Sequence, residues 1–168
     1  MSDRSLTGPE PLSARHVVEG FACGDGALDT YIVRQALADQ RAEKSRTCVF
    51  LDGVRVVAYW TLAAASVEPI LATSRLAAGQ GSQSIPVILL ARLAVDMAWQ
   101  GRGIGEAVLV DALARASHAA TLIGARAVLV HAISPRAAAF YSRYGFEPSP
   151  TDPLHLVMLM KDIRASLG

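Results

Sequence analysis

Apolar residues first recur at helical spacing at Leu28, Tyr31, Ile32 and the Gln35-Ala36 step, with Asp25 placed after Gly24 as a cap. Two β-rich runs, 47–51 and 54–62, then flank Asp52-Gly53, a pair that favours a hairpin turn. The stretch 74–84 is rich in Ser, Gly and Gln and reads as a mobile loop. Residues 87–95 are almost continuously apolar, as expected of a strand covered on both faces. From the glycines at 101, 103 and 105 a helix is predicted to about Ala120, with Val108, Leu109, Ala112 and Leu113 turned inward and Gly124 ending the element. Residues 127–132 read as another buried strand. Ser134-Pro135 opens a short helix carrying Phe140, Tyr141 and Tyr144, which Gly145 closes. A last strand is expected over 154–160.

That order describes an α/β (α+β) chain with a mixed central β-sheet flanked by helices. Its 168 residues suit one domain, 1–168, with a loose segment over 1–13 where Gly8, Pro9 and Pro11 replace apolar anchors.

Composition narrows the class. Hydrophobic residues make up 52% and charged residues 18%, which excludes a disordered chain. No apolar run reaches membrane-spanning length and the start lacks a signal-peptide pattern, so a soluble, cytoplasmic protein without membrane contact is expected. Cys23 and Cys48 have no redox or ligand spacing, and His16, His118, His131 and His155 are scattered, so no metal site is expected. The net charge of +1 decides nothing, but fourteen of the sixteen cationic residues are arginine, the side chain suited to bidentate phosphate contact.

The chemistry begins at Gln100-Gly101-Arg102-Gly103-Ile104-Gly105, where an apolar strand gives way to a glycine-rich turn and a helix start. The first amides of a helix lack partners and carry partial positive charge, so they bind anions. Glycine lets the backbone approach a pyrophosphate closely, and Arg102 can add a charged contact. The spacing is wrong for a dinucleotide fingerprint, and no Gly-Lys-Ser/Thr follows as in a P-loop.

This segment resembles the Q/R-x-x-G-x-G/A coenzyme loop of the GNAT superfamily of N-acetyltransferases, preceded by Leu93-Ala94-Val95-Asp96. Ala137 to Phe146 is similar to the A-x-x-F-Y-x-x-x-G-F segment of the same superfamily. The resemblance implies a GNAT fold with a splayed strand pair, acetyl-CoA as acetyl donor, and Leu93, Ala94 and Val95 pairing with the pantetheine arm. An amide near Leu93 would polarise the thioester carbonyl. Tyr141 is implied as the general acid that protonates the departing thiolate; a buried, hydrogen-bonded core tyrosine is the structural alternative. Phe140, Tyr144 and Phe146 read as core or wall residues.

No glutamate on the central strands stands out as a base, and Glu68 beside Pro69 reads as a solvated strand end. An α-amine has a pKa of about 7.7–8.0, against about 10.4 for lysine, so the missing base favours an α-amine acceptor.

A narrower likeness spans residues 15–161. Phe21-x-Cys23-Gly24-x-x-x-Leu28-Asp29-x-Tyr31, the strand Trp60 to Val67, and Pro86-Val87-Ile88-Leu89-Leu90-Ala91-Arg92-Leu93-Ala94-Val95-Asp96 resemble the GNAT toxins of type II toxin–antitoxin systems. Ala58, where those proteins usually have glycine, departs from the pattern. The resemblance implies acetylation of the α-amine of aminoacyl-tRNA and a block of translation. It also implies a ribbon-helix-helix antitoxin as partner and a homodimer. A positive rim for tRNA phosphates is then expected from Arg34, Arg41, Lys44, Arg46, Arg75, Arg92, Arg136 and Arg143. For Arg92 the structural alternative is an ion pair with Asp96 or Glu68, and for the cluster 34–46 a solvated helix face. Two other readings stay open: a GNAT enzyme acting on a small amine or protein N-terminus, and a non-catalytic acyl-CoA-binding domain.

Overall fold

A computed structural model describes residues 5–168. Seven strands order as β1-β2-β3-β4-β5-β7-β6: β1 (Thr7–Pro11), β2 (Arg46–Asp52), β3 (Arg55–Val67), β4 (Ile85–Val95), β5 (Ala127–His131), β6 (Glu147–Pro148) and β7 (His155–Leu159). β4 and β5 run parallel, while β1–β2, β2–β3, β5–β7 and β6–β7 are antiparallel, so the sheet is mixed as expected. The chain sorts into two compact units, Met1–Ala63 with Arg92–Ala112 and Ala64–Ala91 with Leu113–Gly168.

In the first unit the early apolar spacing becomes three helical pieces in sequence: α1 (Gly26–Thr30), a π-helical turn (Tyr31–Gln35) and α2 (Ala36–Arg41). Asp25 caps the start by accepting from the Leu28 amide at 3.0 Å. Tyr31, Ile32 and Ala36 turn inward against Val49, Leu51, Val56 and Tyr59. Burying such side chains contributes roughly 1.5–3 kcal/mol each.

The start is less loose than composition suggests. Residues 1–4 lie outside the described residues, but β1 pairs with β2 (Glu10↔Val49, Pro11↔Cys48) and Leu12 is buried behind it. A histidine clamp explains the order. The Ser13 amide donates to His16 Nδ1 at 3.0 Å, so the ring hydrogen sits on Nε2, which donates to Glu10 at 2.6 Å. Arg15 also bonds Glu10.

In the second unit β4 and β5 pair from Val87↔Ala127 to Leu90↔Val130. Helix α4 (Ile104–Ile123), whose residues up to Ala112 belong to the first unit, runs past the expected end near Ala120, and its buried residues include Val108, Leu109, Ala112 and Leu113. Ser134 caps α5 (Pro135–Arg143), accepting from the Ala137 amide at 3.1 Å. The chain closes on a helix that the sequence reading did not separate from the last strand, α6 (Met160–Leu167), which buries Ile163.

The expected mobile loop over 74–84 needs correction. Residues Pro69–Leu71 form a 3-10 turn and Ser74–Ala77 a short helix, α3, with Thr73 capping the Leu76 amide. Leu76 is wholly buried against Ile85, Val87, Leu129 and Leu159. Arg126 fixes this segment through its guanidinium, which donates to the carbonyls of Leu76 (2.7 Å), Arg75 (3.1 Å) and Ala78 (3.1 Å). A single apolar anchor and a distant arginine outweigh the local Ser/Gly composition.

Candidate active site

The first unit holds the glycine loop. β4 runs on through Leu93, Ala94 and Val95, beyond Leu90, its last residue paired with β5. Asp96 then caps a 3-10 turn (Met97–Trp99), accepting from the Ala98 amide at 2.9 Å and from the Ala22 amide at 3.1 Å. Gly101 and Gly103 have φ of 79° and 77°, and a Cβ built on either would meet nothing within 4 Å. The left-handed backbone favours glycine, and the space above it is open. The Ala107 amide donates to the Gly103 carbonyl at 3.3 Å. Among the described residues, the six amides from Gly101 to Glu106 donate to no protein group. Six consecutive free donors leading into a twenty-residue helix are an arrangement suited to an anion.

Two expected contact residues do other work in the structure. Gln100 donates through Nε2 to the carbonyls of Val95 and Cys23, both at 2.8 Å, and so ties the loop to its neighbours. Arg102 folds back, donating to the Ala98 carbonyl at 3.2 Å and lying 5.0 Å over the Trp99 ring. The indole of Trp60 donates to Asp111 at 2.6 Å, fixing α4 to β3 within this unit.

Arg92 is not ion-paired to Asp96 or Glu68, as its structural alternative had it. Its guanidinium lies 3.5 Å from the centre of the Tyr31 ring, and the Tyr31 hydroxyl bonds Asp39 (3.0 Å) and Ser45 (3.1 Å). Desolvation raises the Tyr31 pKa, so the ring stays neutral under the cation. Arg34, Arg41, Lys44 and Arg46 are exposed in the same unit, on or just after the helical segment that carries Tyr31.

The second unit holds Tyr141 on α5. Its ring is enclosed by Phe140 and Phe146, at centroid distances of 5.2 and 5.5 Å. Burial pushes its phenol pKa upward, keeping the proton on oxygen at neutral pH. Among the described residues the hydroxyl has no hydrogen-bond partner, and no enclosed side-chain oxygen there lacks one, so the ring is buried while its oxygen reaches solvent. Arg136 and Arg143 are exposed on the same helix. Arg75 stands apart: it is held by Glu147 at 2.9 Å and Asp162 at 2.8 Å, so two carboxylates answer its charge.

Sequence reasoning missed a cleft in this unit. A cavity of about 240 Å³ is lined by Leu71, Leu76, Leu129 and Val157, with Glu68, His131 and His155 supplying its titratable groups. The His131 and His155 rings stack at 4.1 Å. Only the 131↔155 register of β5 and β7 joins these scattered histidines. Among the described residues no three His, Cys, Asp or Glu side chains converge to hold a metal ion, and no helix is long and apolar enough to cross a membrane.

Comparison with known proteins adds to this geometry. Residues 43–148 match the model of the acetyltransferase (GNAT) domain. A tRNA-acetylating toxin of Mycobacterium tuberculosis is 46% identical over 160 residues, covering 95% of this chain and 96% of that protein. Among solved structures, a tyrosine-to-phenylalanine mutant of KacT superposes with a TM-score of 0.88 at 25% identity, covering 96% of this chain and 98% of the other. A mutant AtaT toxin bound to the C-terminus of the antitoxin AtaR and to acetyl-CoA gives 0.82 at 25% identity, covering 96% and 97%.

Proposed function

Because this chain belongs to the GNAT acetyltransferase family, we propose that it is the toxin of a type II toxin–antitoxin pair, acetylating the α-amine of aminoacyl-tRNA and so blocking translation. The acetyl donor is acetyl-CoA, and the observation that carries its binding is the run of six free amides at the start of α4. The tRNA-acetylating relative, alike over 95% of this chain, supports the acceptor.

Each part of the reaction has a residue. Gly101, Arg102, Gly103, Ile104 and Gly105 hold the pyrophosphate through backbone amides, and Gln100 holds the loop in shape. Leu93, Ala94 and Val95 lie past the β5 pairing, where a pantetheine arm can add as a further strand. The Leu93 amide polarises the carbonyl. When bound, the coenzyme supplies a thioester whose sulfur needs a proton as it leaves. Tyr141 supplies that proton, consistent with a buried ring whose phenol keeps its hydrogen and whose oxygen, among the described residues, has no protein partner.

Arg34, Arg41, Lys44 and Arg46 of the first unit bind tRNA phosphates, and so do Arg136 and Arg143 of the second. Arg92 serves from its seat on Tyr31. Arg75 is the weakest candidate because Glu147 and Asp162 already hold it. Charged tRNA places the activity in the cytoplasm. The AtaT complex supports an antitoxin whose tail covers the toxin, and a ribbon-helix-helix antitoxin and a homodimeric toxin complete the reading.

The test is incubation of the purified protein with radiolabelled acetyl-CoA and charged total tRNA. Label that requires aminoacylation and is lost on mild ester hydrolysis is the expected result. Turnover on small amines or peptides with unlabelled tRNA would leave an acetyltransferase and remove the toxin reading.

A further inference from the structure

The cleft of the second unit is used neither by the glycine loop nor by Tyr141 as described, yet it is a built site. Its wall, residues 69–77, is fixed by Arg126, by the Ser149 hydroxyl donating to the Leu71 carbonyl at 3.0 Å, and by the Arg75 ion pairs. Its floor is apolar, from Leu129 and Val157, which pair across β5 and β7. Apolar surface with a few placed polar groups is the usual makeup of a small-ligand site.

Three titratable side chains line it. Glu68 accepts from the Ser84 hydroxyl at 2.6 Å. His155 has its Nε2 3.5 Å from the Asp152 carboxylate. His131 differs: it is exposed at the end of β5, its ring stacks on His155, and among the described residues its ring nitrogens have no hydrogen-bond partner and are open to solvent. Desolvation and the adjacent His155 lower its pKa from the ordinary 6.5, with Asp152 pulling the other way. At neutral pH it is therefore an uncharged imidazole with a free lone pair.

We propose that this cleft receives the amine-bearing end of the acceptor and that His131 takes up the proton lost by the attacking nitrogen. The proposal rests on the acetyl-transfer reading above and supplies the base that no strand glutamate provides. His131 closes β5, and three residues later Ser134 caps α5, so His131 and Tyr141 come from one strand–turn–helix unit. As the C–N bond forms, the nitrogen becomes strongly acidic, and a weakly basic imidazole suffices to take its proton. As the C–S bond breaks, the Tyr141 proton goes to sulfur. The imidazolium releases its proton to solvent and the phenolate regains one from solvent. Neutral amine and thioester thus give amide and thiol with no net proton change.

The experiment compares wild type, His131→Gln, His131→Ala and Asp152→Asn in full-length protein, measuring kcat with acetyl-CoA and charged tRNA from pH 5.5 to 8.5. A general base is worth about 10²–10⁴-fold, so His131→Gln should lower kcat at least about 10²-fold. Coenzyme affinity and melting temperature should not change. The wild-type fall in kcat, expected on the acid side of the ordinary imidazole range, should vanish in His131→Gln, and added imidazole should restore part of the rate to His131→Ala. Asp152→Asn, which leaves the ring in place, should move that fall to lower pH. Wild-type kcat with an unchanged acidic limb in His131→Gln would overturn the assignment. If the His131 variants do not fold, an unshifted limb in Asp152→Asn overturns it. Should wild type leave charged tRNA unlabelled, the acceptor reading fails on its own, and the same profiles are run on a peptide amine.

Discussion

Residues 100–105 in the first unit and residues 69–77 in the second are both short segments outside the sheet, but their backbones are used in opposite ways. In the loop, the amides from Gly101 to Gly105 bond to no protein group among the described residues, and a Cβ at Gly101 or Gly103 would meet only open space. In the cleft wall, the carbonyls are bonded: Leu71 by Ser149, and Arg75 and Leu76 by Arg126. Free backbone donors at a helix start keep their affinity for an outside anion, whereas bonded carbonyls hold a surface still so that side chains can shape it. One segment binds with its backbone; the other lends rigidity to the side chains around it.

The largest effect should come from the side-chain chemistry of the second unit. Tyr141→Phe removes one oxygen that has no protein partner among the described residues, so stability should change by less than about 0.5 kcal/mol. The rate should fall about 10²–10⁴-fold if that oxygen carries the proton. Single-turnover acetyl transfer, beside calorimetric binding of acetyl-CoA, separates the two. A wild-type rate removes Tyr141 as the acid.

Next is the wall itself. Arg126→Ala deletes donors to three carbonyls in a half-buried position, a loss of roughly 2–3 kcal/mol. Urea unfolding reads that loss, and amide exchange should rise over residues 69–80 while residues 100–107 stay unchanged. Equal exchange in both segments would end the distinction drawn here. The loop's counterpart is Gly103→Val, which forces a β-branched residue toward left-handed φ at about 1–2 kcal/mol. Acetyl-CoA should bind roughly 5–30-fold more weakly, with kcat on saturating coenzyme little altered.

The same contrast explains what the chain disclosed before its structure was known. The loop is local: Gln100 to Gly105 specify a turn, free amides and a helix start within six residues, and position in the fold only confirms them. The Asp52-Gly53 hairpin and the Ser134 cap were legible for the same reason. The wall is nonlocal. Nothing near Leu76 announces that Arg126, fifty positions on, will hold its carbonyl. The His131–His155 stack depends on a strand register that histidine spacing does not encode. The β1 strand was hidden likewise, since its glycine and prolines suggest looseness while Glu10, Ser13 and His16 close a clamp.

The smallest effect tests whether charge in the two units is equally available. Arg75 reads in sequence like any other basic candidate, but Glu147 and Asp162 already hold its guanidinium. Exposed ion pairs contribute about 0–1 kcal/mol, so Arg75→Gln should barely change stability. A phosphate drawn to Arg75 would also meet two carboxylates. Its replacement should therefore leave KM for charged tRNA and its salt dependence unchanged. Arg34, exposed on the helical segment beside the Arg92–Tyr31 stack, should behave differently. Arg34→Gln should raise KM for tRNA a few-fold, and the slope of log KM against log salt should fall by about 1 if one phosphate contact is lost. If both variants shift KM and slope alike, the Arg75 pairs open on tRNA binding and Arg75 joins the phosphate contacts. If only Arg34 shifts them, local carboxylates have already set which arginines the tRNA can use.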